Sequence, residues 1–333
     1  GLVGLAGAGG VWLWNQSLHP IFVYRGHSSR VSALAWSADS KRIASGDLKG
    51  SIRIWERATG KTLLAYQGHT DVIWAIAWSP NGQLVASASA TDHEVKVWDA
   101  TTGNQIQMYQ GHSGSISALS WSPDTTYIAS GSHDGTVQVW NPITGKPISI
   151  FGEHAKPTDG IYVEDIAWSP NGKHIASVST RDRQLCMWDA HTGSTVLTPQ
   201  GDLAGGVFPK LAWSADSKRI CVVSEEDRGQ MDWPTTGQVW DTTTGKTVFT
   251  SPALYTGVLQ DVAWFLDGER IAFTTLSNVN IWDITGGHFW TSPSFASEST
   301  IIYYANIMVS SPERKYTAGD NDNEVLIWEI PYP

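Results

Sequence analysis

Residues 111–141 read GHSGSISALSWSPDTTYIASGSHDGTVQVWN, and this stretch decides the fold. Positions 116–121 alternate as a half-buried strand does. Ser122-Pro123-Asp124 signals a turn, 127–132 a second strand, Asp134-Gly135 a tight turn, and 136–140 a third strand. After another turn at 142–145, residues 147–151 supply a fourth. The unit is an antiparallel meander of four short strands.

The unit recurs. Trp followed by an acidic or amide residue stands at Trp14, Trp55, Trp98, Trp140, Trp188, Trp240, Trp282 and Trp328, with steps of 41, 43, 42, 48, 52, 42 and 46 residues. A second Trp keeps the same beat at Trp36, Trp78, Trp121, Trp168, Trp213 and Trp264, its last place falling at Ser310. Gly-His marks stand at His27, His69 and His112, loosened to Gly152-Glu153-His154. One meander cannot bury both its faces, so the units must stack on one another.

Together the Gly-His, the Ser-Pro-Asn/Asp-Gly turn, the Ile-Ala-Ser-Gly strand and the closing Trp-Asp resemble the WD-repeat β-propellers. The resemblance runs from about residue 20 to 333. It implies an all-β fold: seven four-stranded antiparallel blades around a central channel. The last unit stops after its third strand, while residues 20–25 form an orphan strand. The resemblance implies that this orphan completes the last blade and closes the ring. An eighth blade would have only residues 11–15 to represent it. Residues 18–333 are therefore expected to form a single propeller.

Composition agrees with many short strands: 333 residues, 41% hydrophobic but only 16% charged, with 32 Gly and 18 Trp. The net charge of −10 and the lack of a basic block argue against nucleic acid as a partner. Cys186 and Cys221, each in an apolar run, read as buried thiols and leave the compartment open. Residues 1–17 form an apolar lead with two readings. It is either the end of a membrane span cut short before residue 1, with Trp12 and Trp14 at the interface, or a strand behind a flexible lead. The protein is accordingly expected to be cytoplasmic or tethered through a segment upstream of residue 17.

The family resemblance implies a hydrogen-bonded Asp–His–Ser/Thr–Trp tetrad within a blade. A buried indole N–H needs an acceptor, a hydroxyl can supply it, and a histidine can link that hydroxyl to a carboxylate. The sequence offers His69, Ser87, Asp92 and Trp98; His112, Ser130, Asp134 and Trp140; and His154, Ser177, Asp182 and Trp188. Repeat one keeps His27, Ser45 and Trp55 but puts Lys49 where the carboxylate is expected. Such a Ser–His–Asp set invites a catalytic reading. Its periodic recurrence with a Trp, and the absence of a Gly-x-Ser-x-Gly elbow, make it structural instead. No metal-ligand spacing or phosphate cradle stands out, and no cofactor is expected.

What remains is surface. In the family, binding usually uses the channel rim where the loops entering each first strand open. Counting six and four residues back from each first-strand Trp gives Arg30 and Ser32, Val72 and Trp74, Ser115 and Ser117, Tyr162 and Glu164. The later repeats add Val207 and Pro209, Val258 and Gln260, Tyr304 and Asn306. The tight turns contribute Leu48, Thr91, His133, Arg181 and Asn321. Trp74 has no blade-packing role in the repeat, so it reads as a binding anchor or as a plug of the channel. The lengthened segments 153–160, 225–237 (with Trp233) and 286–300 (with Phe289, Trp290 and Phe295) read as functional.

The expected rim set is therefore Arg30, Leu48, Trp74, His133, Tyr162, Glu164, Arg181, Trp233, Gln260, Tyr304 and Asn321. The expected function is a non-enzymatic, monomeric scaffold for a protein or peptide. The sequence also resembles the propellers attached to bacterial membrane-anchored serine/threonine kinases, which implies a sensor module of a larger signalling protein. A propeller hydrolase or lyase with a site at the channel mouth is the competing class, and a structural spacer the third.

Overall fold

The computed structural model describes residues 11–13, 20–152, 154, 162–179, 183–199, 206–226, 234–254, 258–265, 267–275, 278–291, 308–313 and 315–329. Every regular element among them is a β-strand. Blade one consists of Val31–Trp36, Arg42–Asp47, Ser51–Glu56 and Thr62–Gln67, hydrogen-bonded in that order. The same meander repeats over residues 73–109, 116–151, 163–197, 206–250 and 259–291. The third unit falls within one residue of its expected bounds: Ile116–Trp121, Ile128–Ser132, Val137–Trp140 and Pro147–Phe151. Each first strand contacts the first strand of the next blade, and Met308–Ser310 meets Val31–Trp36, so the ring closes on seven blades.

Closure is made as the orphan strand implied. Phe22–Tyr24 pairs antiparallel with Glu324–Glu329, giving the last blade its fourth strand. The lead adds something else: Val11–Leu13 runs parallel to Phe289–Thr291 as a fifth strand on blade six. Among the described residues no helix is long and apolar enough to cross a membrane. The rest of the lead lies outside the described residues.

The two Trp series do different work. Four indole N–H groups of the first-strand series donate to main-chain carbonyls of the preceding blade, while those of Trp78 and Trp168 are buried without an acceptor. Trp36 reaches Val309 (3.1 Å), Trp121 reaches Ala77 (3.1 Å), Trp213 reaches Ala167 (3.0 Å) and Trp264 reaches Ala212 (3.0 Å). In blades one to four the third-strand Trp is buried under an aromatic from the outermost strand of the blade before. Tyr24 stacks on Trp55 at 4.3 Å, Tyr66 on Trp98 at 4.5 Å, Tyr109 on Trp140 at 4.4 Å and Phe151 on Trp188 at 4.9 Å. Blades are thus joined twice, near the axis by hydrogen bonds and further out by stacked rings. The residue after each third-strand Trp caps the following turn; Asp99 accepts from the Thr101 and Thr102 amides.

Tetrads form in blades one to three. In blade three the Trp140 indole donates to Ser130 Oγ (3.2 Å), which lies 2.8 Å from His112 Nε2, and His112 Nδ1 lies 2.9 Å from Asp134. Blade two repeats this with Trp98, Ser87, His69 and Asp92 at 2.9, 2.8 and 2.7 Å. Burial alone would raise the Asp134 carboxyl, but the His112 and Thr136 hydrogen bonds hold it far below the usual carboxylate range.

Blade one corrects the sequence reading. It does not lack a carboxylate at Lys49: Asp47, two residues earlier, lies 2.9 Å from His27 Nδ1, and Ser45 links His27 (2.7 Å) to Trp55 (3.1 Å). Asp47 ends the second strand instead of standing in the turn, and its other oxygen accepts from the amides of Lys49 and Ser51. The turn then tightens on Gly50, at φ +77°, where a Cβ would meet the His69 carbonyl oxygen at 2.2 Å. Blade four departs the other way. His154 and Ser177 are 2.9 Å apart, but Trp188 Nε1 is buried without an acceptor, and Asp182 lies outside the described residues. Phe151 stacks on that indole at 4.9 Å.

Candidate binding rim and channel mouth

A repeated irregularity builds the rim. In five blades the pairing of first and second strands slips by one residue, leaving Ser32, Trp74, Ser117, Glu164 and Gln260 opposite no partner. A bulge of this kind kinks the strand and re-aims a side chain. The positions found by counting four back from the first-strand Trp are these bulge residues. In blade five the slip spans two residues, Phe208 and Pro209, with Phe208 at φ +48°. Phe208 is consequently exposed, and it lines the cavity together with Pro209, whose side chain is otherwise buried. The clue was the proline itself, which lacks the amide a regular ladder needs.

Three blades contribute to one aromatic row. Trp74, 43% exposed, lies with its ring 5.2 Å from that of His133, and His133 lies 4.3 Å from Tyr162, which is 37% exposed. Trp74 comes from the blade-two bulge, His133 from the tight turn of blade three, and Tyr162 from the entry to blade four. The His133 amide, donating to the Ser115 carbonyl at 2.8 Å, fixes that turn against its own first strand. Burial lowers the His133 pKa, while the charges of Glu164 and Asp134 act in the opposite direction. The imidazole is therefore neutral near pH 7, sandwiched between two larger rings.

Trp74 also bears on the central channel. It borders an open cavity of about 430 Å³ at the mouth, whose wall includes Glu164, Asp165, Phe208, Lys210 and Asp261. Gln260 also lines it, with its side-chain amide donating to the Leu259 carbonyl at 3.0 Å. Arg30 and Leu48 sit on the blade-one side. Arg30 Nε is 3.8 Å from the buried Asp320 carboxylate, the Leu48 side chain is 40% exposed, and the Leu48 amide donates to the Arg30 carbonyl at 2.9 Å. Thr91 is occupied, donating to Asp71 at 2.8 Å. Arg181, Trp233 and Tyr304 lie outside the described residues, as do segments 155–160 and 292–300. Asn321 is described only through its backbone pairing with Glu324.

Sequence reasoning missed Phe208 and the charged wall. Asp165, Lys210 and Asp261 occupy the place that Ala33, Ala75 and Ala118 hold in blades one to three, one residue past the bulge. Charged residues at a position that is alanine in the regular repeats were the available signal.

Four stretches, 18–56, 60–99, 103–141 and 145–189, match the WD domain, G-beta repeat family. Among characterised proteins the chain is similar to the mouse WD repeat-containing protein 1, at 26% identity over 197 residues, 57% of this chain. It spans only about a third of that relative's length, 32%. Propellers of this kind typically serve as scaffolds for protein interactions and are generally not enzymes. Four matched repeats, seven closed blades and the tetrads of blades one to three lead to one assignment: the chain belongs to the WD-repeat β-propeller family.

Proposed function

We propose that this propeller is a non-enzymatic module that binds a protein or peptide on the rim, centred on Trp74, His133 and Tyr162. The observation that carries the reading is the aromatic row itself: three rings from three blades in mutual contact, with the two outer ones open to solvent. Exposed aromatics on a rigid frame are typical anchors, since little ordering is lost when a partner covers them. Arg30, Leu48, Glu164 and Gln260 extend the surface on either side, and Arg181, Trp233, Tyr304 and Asn321 complete the proposed set.

A catalytic role for the Ser–His–Asp sets, as distinct from a hydrolase or lyase site at the channel mouth, meets buried hydroxyls. Ser45, Ser87 and Ser130 are wholly buried, and each hydroxyl is engaged by a Trp indole. A role as the sensor of a larger membrane-anchored signalling protein is the finer form of the proposal, and the apolar lead is its support.

The test is selection of short random peptides displayed on phage against the wild type and against Trp74→Ala and Tyr162→Ala. Peptides that bind the wild type and are lost on both variants are the expected result. Failure to recover any, or hydrolytic activity in a broad substrate screen that disappears with His133→Ala or Glu164→Ala, would contradict the proposal.

A further inference from the structure

The cavity at the mouth is chemically lopsided. Blades one and two give it Ser32, Ala33, Leu34, Ala75 and Ile76, apart from Trp74 itself. Blades four to six add all of its charge, Glu164, Asp165, Lys210 and Asp261, three carboxylates against one ammonium, set among the apolar Phe208, Pro209, Val258 and Leu259. Two of those carboxylates are held rigidly by main chain. Asp165 accepts from the amides of Ile166 and Leu211, each at 2.9 Å, bridging blades four and five. Asp261 accepts from Val262 (2.9 Å) and from Ser310 (3.3 Å), bridging blades six and seven. A carboxylate offers about four acceptor positions, so Asp165 retains capacity beyond these two bonds.

The negative wall is uncomfortable as it stands. The surrounding protein pushes the Asp165 carboxyl up to about 6, and the Asp261 charge adds to this while Lys210 only partly offsets it. Beside the channel-lining Leu259, whose amide bonds to one of its oxygens, Glu225 is 99% buried and leaves Oε2 without a partner. Trp74 lines the same cavity, and His133, in contact with its ring, lies close enough to Glu164 to feel its charge. Indole is the side chain best suited to attract a cation to its face. Aromatic surface beside fixed carboxylates suits a group with an apolar stem and a charged end.

We propose that the channel mouth receives a cationic side chain, an arginine or lysine of the partner peptide, with its stem against Trp74 and its charge beside Glu164 and Asp165. This rests on the rim-binding reading above and specifies the chemistry of its partner. The acidic balance of the whole chain, −10, would add long-range attraction for such a peptide.

Peptides selected as above decide it. Synthetic copies of those lost on Trp74→Ala are compared by fluorescence anisotropy with copies carrying citrulline for arginine, or norleucine for lysine. One basic position should be indispensable, its neutralisation weakening binding by about tenfold or more. Glu164→Gln should weaken the basic peptide, whereas Lys210→Gln, which removes the opposing charge, should tighten it. Opposite signs from two neighbouring neutralisations would not follow from a loss of folding. Peptides that need Trp74 but are indifferent to neutralisation would overturn the cation and leave rim binding intact. Absence of any Trp74-dependent peptide would overturn both.

Discussion

Asp47 Oδ2 lies 2.9 Å from His27 Nδ1, with both side chains almost wholly buried. The chain Trp55–Ser45–His27–Asp47 satisfies every polar atom in its path if the indole donates to the hydroxyl, the hydroxyl to Nε2, and Nδ1–H to the carboxylate. Asp47→Ala should therefore cost about 1–3 kcal/mol, comparable with Asp134→Ala in blade three. Lys49→Ala, at an exposed turn, should cost almost nothing. Urea titrations of the three variants check the assignment, and equal midpoints would contradict it.

Ring closure can be tested through one side chain. Tyr24 brings its ring to within 4.3 Å of Trp55 at an interplanar angle of 2° and bonds to Thr62 at 2.8 Å. Tyr24→Ala should destabilise by about 3–5 kcal/mol, as expected of a buried aromatic. Removing residues 1–25 should do more, because it also leaves Glu324–Glu329 as an unpaired edge. A truncation as stable and monomeric as the full chain would refute strand closure.

Rim and core tryptophans should separate cleanly. Trp140 is fully buried, donates to Ser130 and carries the stacked Tyr109 ring, so Trp140→Ala should cost about 3–5 kcal/mol. Trp74→Ala removes a half-exposed ring and should barely shift the unfolding midpoint. Its effect should appear in peptide binding, by about tenfold or more. Thermal melts and anisotropy on both variants distinguish the roles.

Acid should act with opposing signs. Burial lowers the His27 pKa below its ordinary 6.5, despite the Asp47 hydrogen bond, so the unfolded chain takes up that proton first and stability falls as pH drops through 6.5. Asp165, raised to about 6 in the fold, does the reverse: its cost is present above about 6 and is relieved as pH falls toward 3.8. Asp92 and Asp134 lie below 3.8 in the fold, so their contribution is lost only in stronger acid. The two effects should oppose one another between about pH 6.5 and 4, and stability should fall further below that range as Asp92 and Asp134 are protonated. Asp165→Asn should unmask a downward slope in that window, measurable by urea titration at several pH values.

Much of this architecture was legible in the sequence because each repeat states it again. The Trp spacing marks the blades, and the last unit and residues 20–25 each hold what the other lacks. The four-residue offset found Trp74 and Glu164 because the bulge recurs at one place. What escaped were departures from the repeat. Asp47 replaces a turn carboxylate from within a strand, which alignment on the turn cannot register. Phe208 is turned outward by a wider bulge. The contact of Trp74, His133 and Tyr162 unites residues nearly ninety positions apart, and only the closed ring brings them together.

Hydrogen exchange of the whole protein, with and without a selected peptide, tests the central claim most directly. The account predicts slowed exchange centred on residues 72–75, 132–135 and 162–165, the backbone that carries Trp74, His133 and Tyr162. Protection confined to the outermost strands, or to the opposite face at the turns following Trp98, Trp140 and Trp188, would contradict it.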